Sequence, residues 1–299
     1  MNYYILANPH AGHGHGKQVT DELTSYLTHK KITFRLFETH QPFDENRLMA
    51  DILAQKTAAD RILIIGGDGT ISLSVNALPE NQAFSYIPAG SGNDFGRGLG
   101  ISLKDTIATF DNIHKAQPKE IFMLNYVSEN LSGLATNNFG IGLDAAMVDA
   151  TNKSLTKGVL NKFKSGQLAY LLSALHVVLI KKPFGVTVNG VRFDKAFLFT
   201  MTNHSFFGGG IPLAPDAKIT DSDIHLIELD RFNIVGVFAL IPKIIQAKHF
   251  ASKHVHHLVD KKFELVIDSD QLVQIDGEIH KLKAGQKLTV TTQKRTILK

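Results

Sequence analysis

The chain has 299 residues, 43% hydrophobic and 20% charged, enough apolar material for one large domain or two of medium size. Its 32 basic and 28 acidic side chains leave a net charge of +4, which suits an anionic substrate or membrane surface but is too small and unpatterned to point to nucleic acid. It has no cysteine, so disulfides and thiol chemistry are excluded, in keeping with a cytoplasmic setting.

The start, Met1-Asn2-Tyr3-Tyr4-Ile5-Leu6, has no basic n-region and does not read as a signal peptide. The first part then alternates two patterns. Strands are expected over 3–8, 32–38, 62–65 and 84–87, and helices over 17–29, 43–56, 70–78 and 103–114. This alternation argues for βαβ units and a parallel sheet, a Rossmann-like α/β domain over residues 1–125. Ligands bind such sheets off the carboxyl ends of the strands. Three Gly-rich turns lie at such ends here, at 8–16, 66–70 and 90–98.

After about residue 120 strand-like runs dominate, at 120–127, 133–138, 184–188, 195–203, 224–229, 263–267, 271–275 and 287–292. Helical patterns interrupt them over 155–180 and 234–258. This predicts a mostly antiparallel, β-sandwich-like second domain over 126–292, with 293–299 returning to the first. No flexible linker separates the halves, so the active site is expected in a cleft between them. The longest apolar stretches, 170–180 and 234–241, fall far short of the ~20 residues that a spanning helix needs.

The most specific turn is Gly66-Gly67-Asp68-Gly69-Thr70. A plain turn with an Asp cap needs one glycine, and here there are three. A strand that ends in such a turn and opens a helix aims free N–H groups at one point, which suits phosphate oxygens. Asp68 beside them is a carboxylate suited to Mg²⁺. The first loop, Asn8-Pro9-His10-Ala11-Gly12-His13-Gly14-His15-Gly16-Lys17, fails the Walker A spacing, because Gln18 stands where Ser or Thr is required. It fails the dinucleotide fingerprint too, because Lys17 stands at the third glycine position. What remains is a Gly-rich strand-to-helix turn of phosphate-contacting type. The third loop, Pro88-Ala89-Gly90-Ser91-Gly92-Asn93-Asp94-Phe95-Gly96-Arg97, adds a hydroxyl, an amide, a carboxylate and a guanidinium.

Taken in this order, the Asn-Pro start, the Gly-Gly-Asp-Gly-Thr turn and the Gly-Ser-Gly-Asn-Asp-Phe-Gly-Arg loop resemble the diacylglycerol kinase catalytic family, which includes sphingosine and ceramide kinases and small bacterial lipid kinases. Gly166-Gln167-Leu168-Ala169-Tyr170, the run Gly208-Gly209-Gly210-Ile211-Pro212-Leu213-Ala214-Pro215, and Asp276-Gly277-Glu278 extend the likeness over the whole chain. The resemblance implies an ATP- and Mg²⁺-dependent kinase acting on a lipid hydroxyl, most simply diacylglycerol to phosphatidic acid. It implies that Asn8, Pro9, Gly12, Gly66, Gly67, Gly69 and Thr70 hold ATP phosphates. Thr39, Ser91 and Asn93 would lie at the nucleotide edge, and Asp68 and Asp94 near the catalytic Mg²⁺. Glu278 would take the proton, with Asp276 beside it. Lys218, Asp221 and Asp223 would form a structural metal site. Transient membrane contact follows from a lipid substrate, and a homodimer is left open.

Departures remain. Ala11 and His13 replace the family's usual Ser and Lys, and Ile71-Ser72-Leu73 replaces a hydrophobic residue and Asn-Glu. Ser222 follows Asp221 where glycine is usual, so that turn is expected to differ. An NAD kinase-type activity, which shares the Gly-Gly-Asp-Gly-Thr turn, and a catalytically silent nucleotide-binding regulator are the alternatives. On its own, Asp276-Gly277 is also a hairpin signal. The histidine clusters 10/13/15 and 254/256/257 lack a Cys or well-spaced carboxylate to complete a metal set. Residues 242–258 read as a basic amphipathic helix that packs on the core or lies on a bilayer.

Overall fold

The computed structural model describes residues 1–156 and 177–299. The first unit contains β1 (Tyr3–Ala7), α1 (Ala11–His29), β2 (Phe34–Glu38), α2 (Asp44–Gln55), β3 (Arg61–Gly66), α3 (Asp68–Asn76), β4 (Ser85–Pro88), α4 (Asp94–Gly98) and α5 (Thr106–Lys115). Its four strands pair in parallel, in the order β2-β1-β3-β4. Helices cover both faces, which is why β1 and β3 are apolar at nearly every position instead of alternating. Tyr3, Ile5, Leu63 and Ile65 pack against Val19, Leu23 and Leu27 of α1 and Phe110 of α5. On the other face Tyr4, Leu6, Ile62 and Ile64 meet Leu48, Met49 and Ile52 of α2 and Ile71 and Val75 of α3.

The second unit contains β5 (Pro118–Val127), β6 (Ser132–Ala135), β7 (Asn138–Gly142), α6 (Leu143–Thr156), β8 (Phe184–Val188), β9 (Val191–Thr202), β10 (Phe206–Phe207), β11 (Ile211–Pro212), β12 (Ile224–Asp230), α7 (Ile234–Ile245), β13 (Val255–Asp260), β14 (Phe263–Ile267), β15 (Gln271–Ile275), β16 (Glu278–Leu282) and β17 (Lys287–Leu298). Eleven of these strands form one antiparallel sheet, running β16-β15-β7-β9-β8-β14-β17-β5-β6, with β12 paired to β9 and β13. Its main apolar core is drawn from β5 to β9, β12 and β14 to β17, with two smaller clusters beside it. The architecture is thus a parallel α/β domain followed by an antiparallel sandwich-like domain.

Three sequence expectations need correction. The strand expected over 133–138 is two strands, because the N–H groups of Thr136, Asn137 and Asn138 turn away from any ladder to the Asp276 carboxylate. The helix expected over 234–258 stops at Ile245; Ala247 takes φ 56, and a 3-10 turn over His249–Ala251 follows. The rest of that stretch is β13, whose β-branched Val255 and Val259 suit a strand and which pairs along β12, Leu226 opposite Leu258. No amphipathic helix therefore runs across 242–258. The last strand, expected to end at 292, continues to Leu298. Beyond Thr292 it stays paired with β5, and Ile297 bridges Phe84, the residue just before β4. The helix expected over 155–180 lies mainly outside the described residues. Among the described residues no helix is long and apolar enough to cross a membrane.

Candidate active site

The strand order brings Asn8, Thr39, Gly67 and Ala89, each just past a strand end, to one edge of the parallel sheet. Asn8 Nδ2 donates to Thr70 Oγ1 at 3.0 Å, tying the first loop to the second. The first loop meets the third through glycine. Gly12 has φ +58, and a Cβ there would stand 2.5 Å from the Ala89 carbonyl oxygen. The second and third loops approach just as closely, since a Cβ on Gly90 would lie 2.5 Å from Gly67 Cα. Asn93, at φ 55, closes the third loop by accepting from Gly90 N–H and donating to Gly90 O, both at 2.8 Å. Ser91 Oγ lies 3.5 Å from His13 Nδ1. Thr39 is buried, and its N–H donates to Ala7 O. Gly12, His13 and Gly14 take non-helical φ/ψ and kink the start of α1, and Pro9 O accepts from Lys17 N–H across that kink.

Helix α3 starts at Asp68, and its first bond runs from Ile71 N–H to Gly67 O. The N–H groups of Asp68, Gly69 and Thr70 precede that bond, and a Cβ on Gly69 would meet open space. Asp68 Oδ1 accepts from Phe95 N–H at 3.1 Å and from Asn137 Nδ2 at 3.3 Å. Asp94 Oδ2 accepts from Gly209 N–H at 2.8 Å, and Arg97 Nε stands 3.8 Å from Oδ1. Asp94 Oδ1 is buried with no hydrogen-bond partner. Burial, with Asp68 adding to it, pushes the Asp94 carboxyl up against the pull of the Gly209 N–H. Two carboxylates from neighbouring loops, one with an orphaned oxygen, fit a hard divalent cation held by oxygen ligands.

The opposite wall comes from the second domain. Asp276 (φ 49) and Gly277 (φ 91) form the two-residue turn of the β15–β16 hairpin, where both central residues need positive φ. The Asp276 carboxylate is saturated: it accepts from Thr136 N–H and Oγ1 and from the N–H groups of Asn137 and Asn138, at 2.7–3.1 Å. Burial pushes its carboxyl up in spite of these donors. Glu278 opens β16, is half-exposed, and has Oε2 4.0 Å from His280 Nε2. Between the walls lies a cleft of about 160 Å³, lined among others by Asp68, Asp94, Asn137, Asp144, Asp276 and Gly277. Glu278 sits just beyond its lining.

His204 and Asn137 carry no local sequence signal. His204 Nδ1 accepts from Phe206 N–H, so its Nε2 carries the proton and donates to Asn137 Oδ1 at 3.0 Å. Asn137 Nδ2 in turn donates to Asp68, so the second domain aims the first domain's carboxylate. Burial pulls His204 down to about 4, which keeps the ring neutral and this tautomer fixed. Asp144 accepts from Thr200 Oγ1 and Gln274 Nε2, both at 3.0 Å, and burial pushes it up to about 6. Gly140 makes room for it, since a Cβ there would fall 1.6 Å from Asp144 Oδ2. The signal that could have found Asp144 is the pair Gly140 and Gly142 just before it.

Lys218, Asp221 and Asp223 lie apart from the cleft, on the turn before β12. Asp221 N–H donates to Lys218 O at 2.9 Å, and Thr220 Oγ1 donates to Asp221 Oδ1. No residue from 216 to 223 has positive φ, so Ser222 is accommodated without the left-handed turn that a glycine would allow. The Gly166–Tyr170 motif (residues 166–170) lies outside the described residues.

Residues 2–126 match the diacylglycerol kinase catalytic domain, and residues 138–293 match the YegS C-terminal NAD kinase beta sandwich-like domain. A diacylglycerol kinase of Bacillus subtilis (strain 168) is 27% identical over 242 residues, covering 76% of this chain and 74% of that protein. The crystal structure of a diacylglycerol kinase from Bacillus anthracis str. Sterne superposes with a TM-score of 0.67 at 18% identity, over 99% of this chain and 96% of that one. An NAD kinase from Archaeoglobus fulgidus in complex with ATP superposes with a TM-score of 0.55 at 15% identity, over 100% and 94%. The two structures speak to the fold alone. The chain belongs to the diacylglycerol kinase catalytic family, in the form that carries a YegS-type C-terminal domain.

Proposed function

We propose that this family member is an ATP- and Mg²⁺-dependent lipid kinase that transfers the γ-phosphoryl group to a lipid hydroxyl, with diacylglycerol as acceptor and phosphatidic acid as product. The observation that carries this reading is the meeting, at one cleft, of Asp68, the half-orphaned Asp94 carboxylate and the Asp276-Gly277 hairpin tip. The α3 N-terminus supplies backbone donors for the phosphates, and Gly67 and Gly90, having no Cβ, let the loops close in beside it. Asn8, Gly12, Thr70, Ser91 and Asn93 shape that cradle, with Thr39 at its edge. When bound, Mg²⁺ held by Asp68 and Asp94 would neutralise charge on the phosphate oxygens.

The proton of the lipid hydroxyl passes to Glu278, whose carboxylate is free of the hydrogen bonds that saturate Asp276. The lipid oxygen bonds to the γ-phosphorus as the bond from that phosphorus to the β–γ bridging oxygen breaks, and ADP leaves. Asp276 is a positioning residue: it fixes the hairpin and holds Asn137 against Asp68. Contact with a membrane surface is supported by Val235, Ile241 and Ile245, exposed on α7.

The test is phosphorylation from labelled ATP, offered diacylglycerol in mixed micelles and, separately, NAD. Labelled phosphatidic acid is expected, with a fall of about 10²–10⁴-fold in turnover for Glu278→Gln and near-complete loss for Asp68→Ala. Labelling of NAD without lipid, or nucleotide binding without any turnover, would overturn the reading.

A further inference from the structure

A second constellation stands outside the cleft, on the β12–β13 pair. Glu228 lies directly opposite His256 in the register, and Asp230 is two residues along on the same face. That face also carries Ile224 and Leu226, which are part of the sandwich core. Glu228 is therefore a carboxylate at the rim of a hydrocarbon interior. It is fully buried, and neither of its side-chain oxygens has a hydrogen-bond partner. His256 Nε2 stands 3.8 Å from Glu228 Oε2, too far for a hydrogen bond, and 3.3 Å from Asp230 Oδ2. One ligand atom from each of the three lies within 4.8 Å of the others.

We propose that Glu228, Asp230 and His256 form a divalent-cation site of the zinc class, separate from the interdomain cleft. A buried carboxylate with both oxygens unpaired is costly, and a divalent cation between it and its two neighbours removes that cost. The spacing suits one. Bonds of about 2.1 Å in a tetrahedron place neighbouring ligand atoms roughly 3.4 Å apart, close to the 3.3 and 3.8 Å seen here. The donor set of one imidazole nitrogen and two carboxylate oxygens favours a first-row transition ion over Mg²⁺ or Ca²⁺, which prefer oxygen alone. The Phe193 ring packs edge-on to His256, with centroids 5.7 Å apart, and restrains the imidazole. Access is open: Asp230 and His256 are part-exposed and border a groove of about 720 Å³ shared with Val191, Phe193 and Lys195. The fourth position faces that groove, where a water or a small anion completes the shell. Without a cation, burial and the neighbouring Asp230 push the Glu228 carboxyl up to about 8, so that a proton is the rival occupant.

The experiment titrates the chelator-treated full chain with Zn²⁺ alone by calorimetry, and with Co²⁺ alone by absorbance. Wild type is expected to take up one equivalent with a four-coordinate Co²⁺ spectrum, and to unfold at a higher temperature with Zn²⁺ than without. His256→Ala and Asp230→Asn alter part-exposed side chains; each is expected to weaken uptake at least about tenfold and to abolish the thermal shift. Glu228→Gln is expected to lose the metal while stabilising the metal-free chain. No uptake by wild type would overturn the proposal. So would uptake that persists unchanged in both His256→Ala and Asp230→Asn, which would mean binding by other histidines.

Discussion

The two walls of the cleft are built by different means. The first-domain wall is mainly backbone: helix N–H groups, and turns in which glycines let three loops touch at van der Waals distance. The second-domain wall is mainly side chain: Asp276, Asn137, His204, Gln274 and Asp144, joined by buried hydrogen bonds. A backbone wall tolerates changes of side-chain chemistry but not added volume. A side-chain wall has the reverse tolerance, because removing one partner strands the others. Proposed roles follow the same division, with phosphates on the first wall and the acceptor lipid on the second.

The sharpest way to break this contrast is Asp276→Asn. An amide NH₂ would then face N–H groups that now donate to a carboxylate. The expected loss is about 4 kcal/mol of stability, read by denaturant unfolding; a change below about 1 kcal/mol would mean that this wall is not held by its side chains. Next is Gly90→Ala, whose Cβ would press on Gly67 Cα and Asn93 Oδ1. Misplaced phosphate donors are expected to cost about 10²-fold in turnover, or about 2.7 kcal/mol. Wild-type kinetics in this variant would show that the loops have room to spare.

His204→Gln addresses the joint between the walls. The native ring stays neutral to about pH 4 while the unfolded one protonates near 6.5. The unfolded chain therefore binds the extra proton, and stability falls as pH drops through this window. Between about pH 6.5 and 5 the wild type is expected to lose about 2 kcal/mol more than the variant; parallel pH profiles for the two would refute the assignment. The smallest effect is expected for Asn76→Ala. Asn76 pairs with both N–H and O of Leu134 at 2.9 Å, stapling α3 to the second domain. About 1 kcal/mol of stability should go with it, and coupled loss of turnover would show that the staple also sets the cleft.

The same division explains what is legible in the sequence. Clustered glycines are a local signal, so the loops at 8–16, 66–70 and 90–98 and the parallel sheet beneath them stand out from the residue pattern alone. Asn137 and His204 act on the cleft through partners 69 and 67 positions away, and nothing near them in sequence says so. The split between β6 and β7 is hidden for the same reason, because it answers to Asp276 on a distant hairpin. His256 looks unmatched for want of a nearby carboxylate, and its candidates stand across the ladder on β12. The error over 242–258 has a different cause: apolar and basic residues there fit a helical period, and cross-strand pairing with β12 overrides it.

The bridge between Phe84 and Ile297 carries a consequence for how the molecule assembles. Phe84 N–H donates to Thr296 O, and Leu298 N–H donates to Phe84 O, so the edge of the first sheet is completed by the far end of the described chain. Loop closure over that separation is entropically expensive and slow. The first domain is thus expected to reach its full protection from hydrogen exchange only after the second has formed, with β4 the last strand of its sheet to become protected.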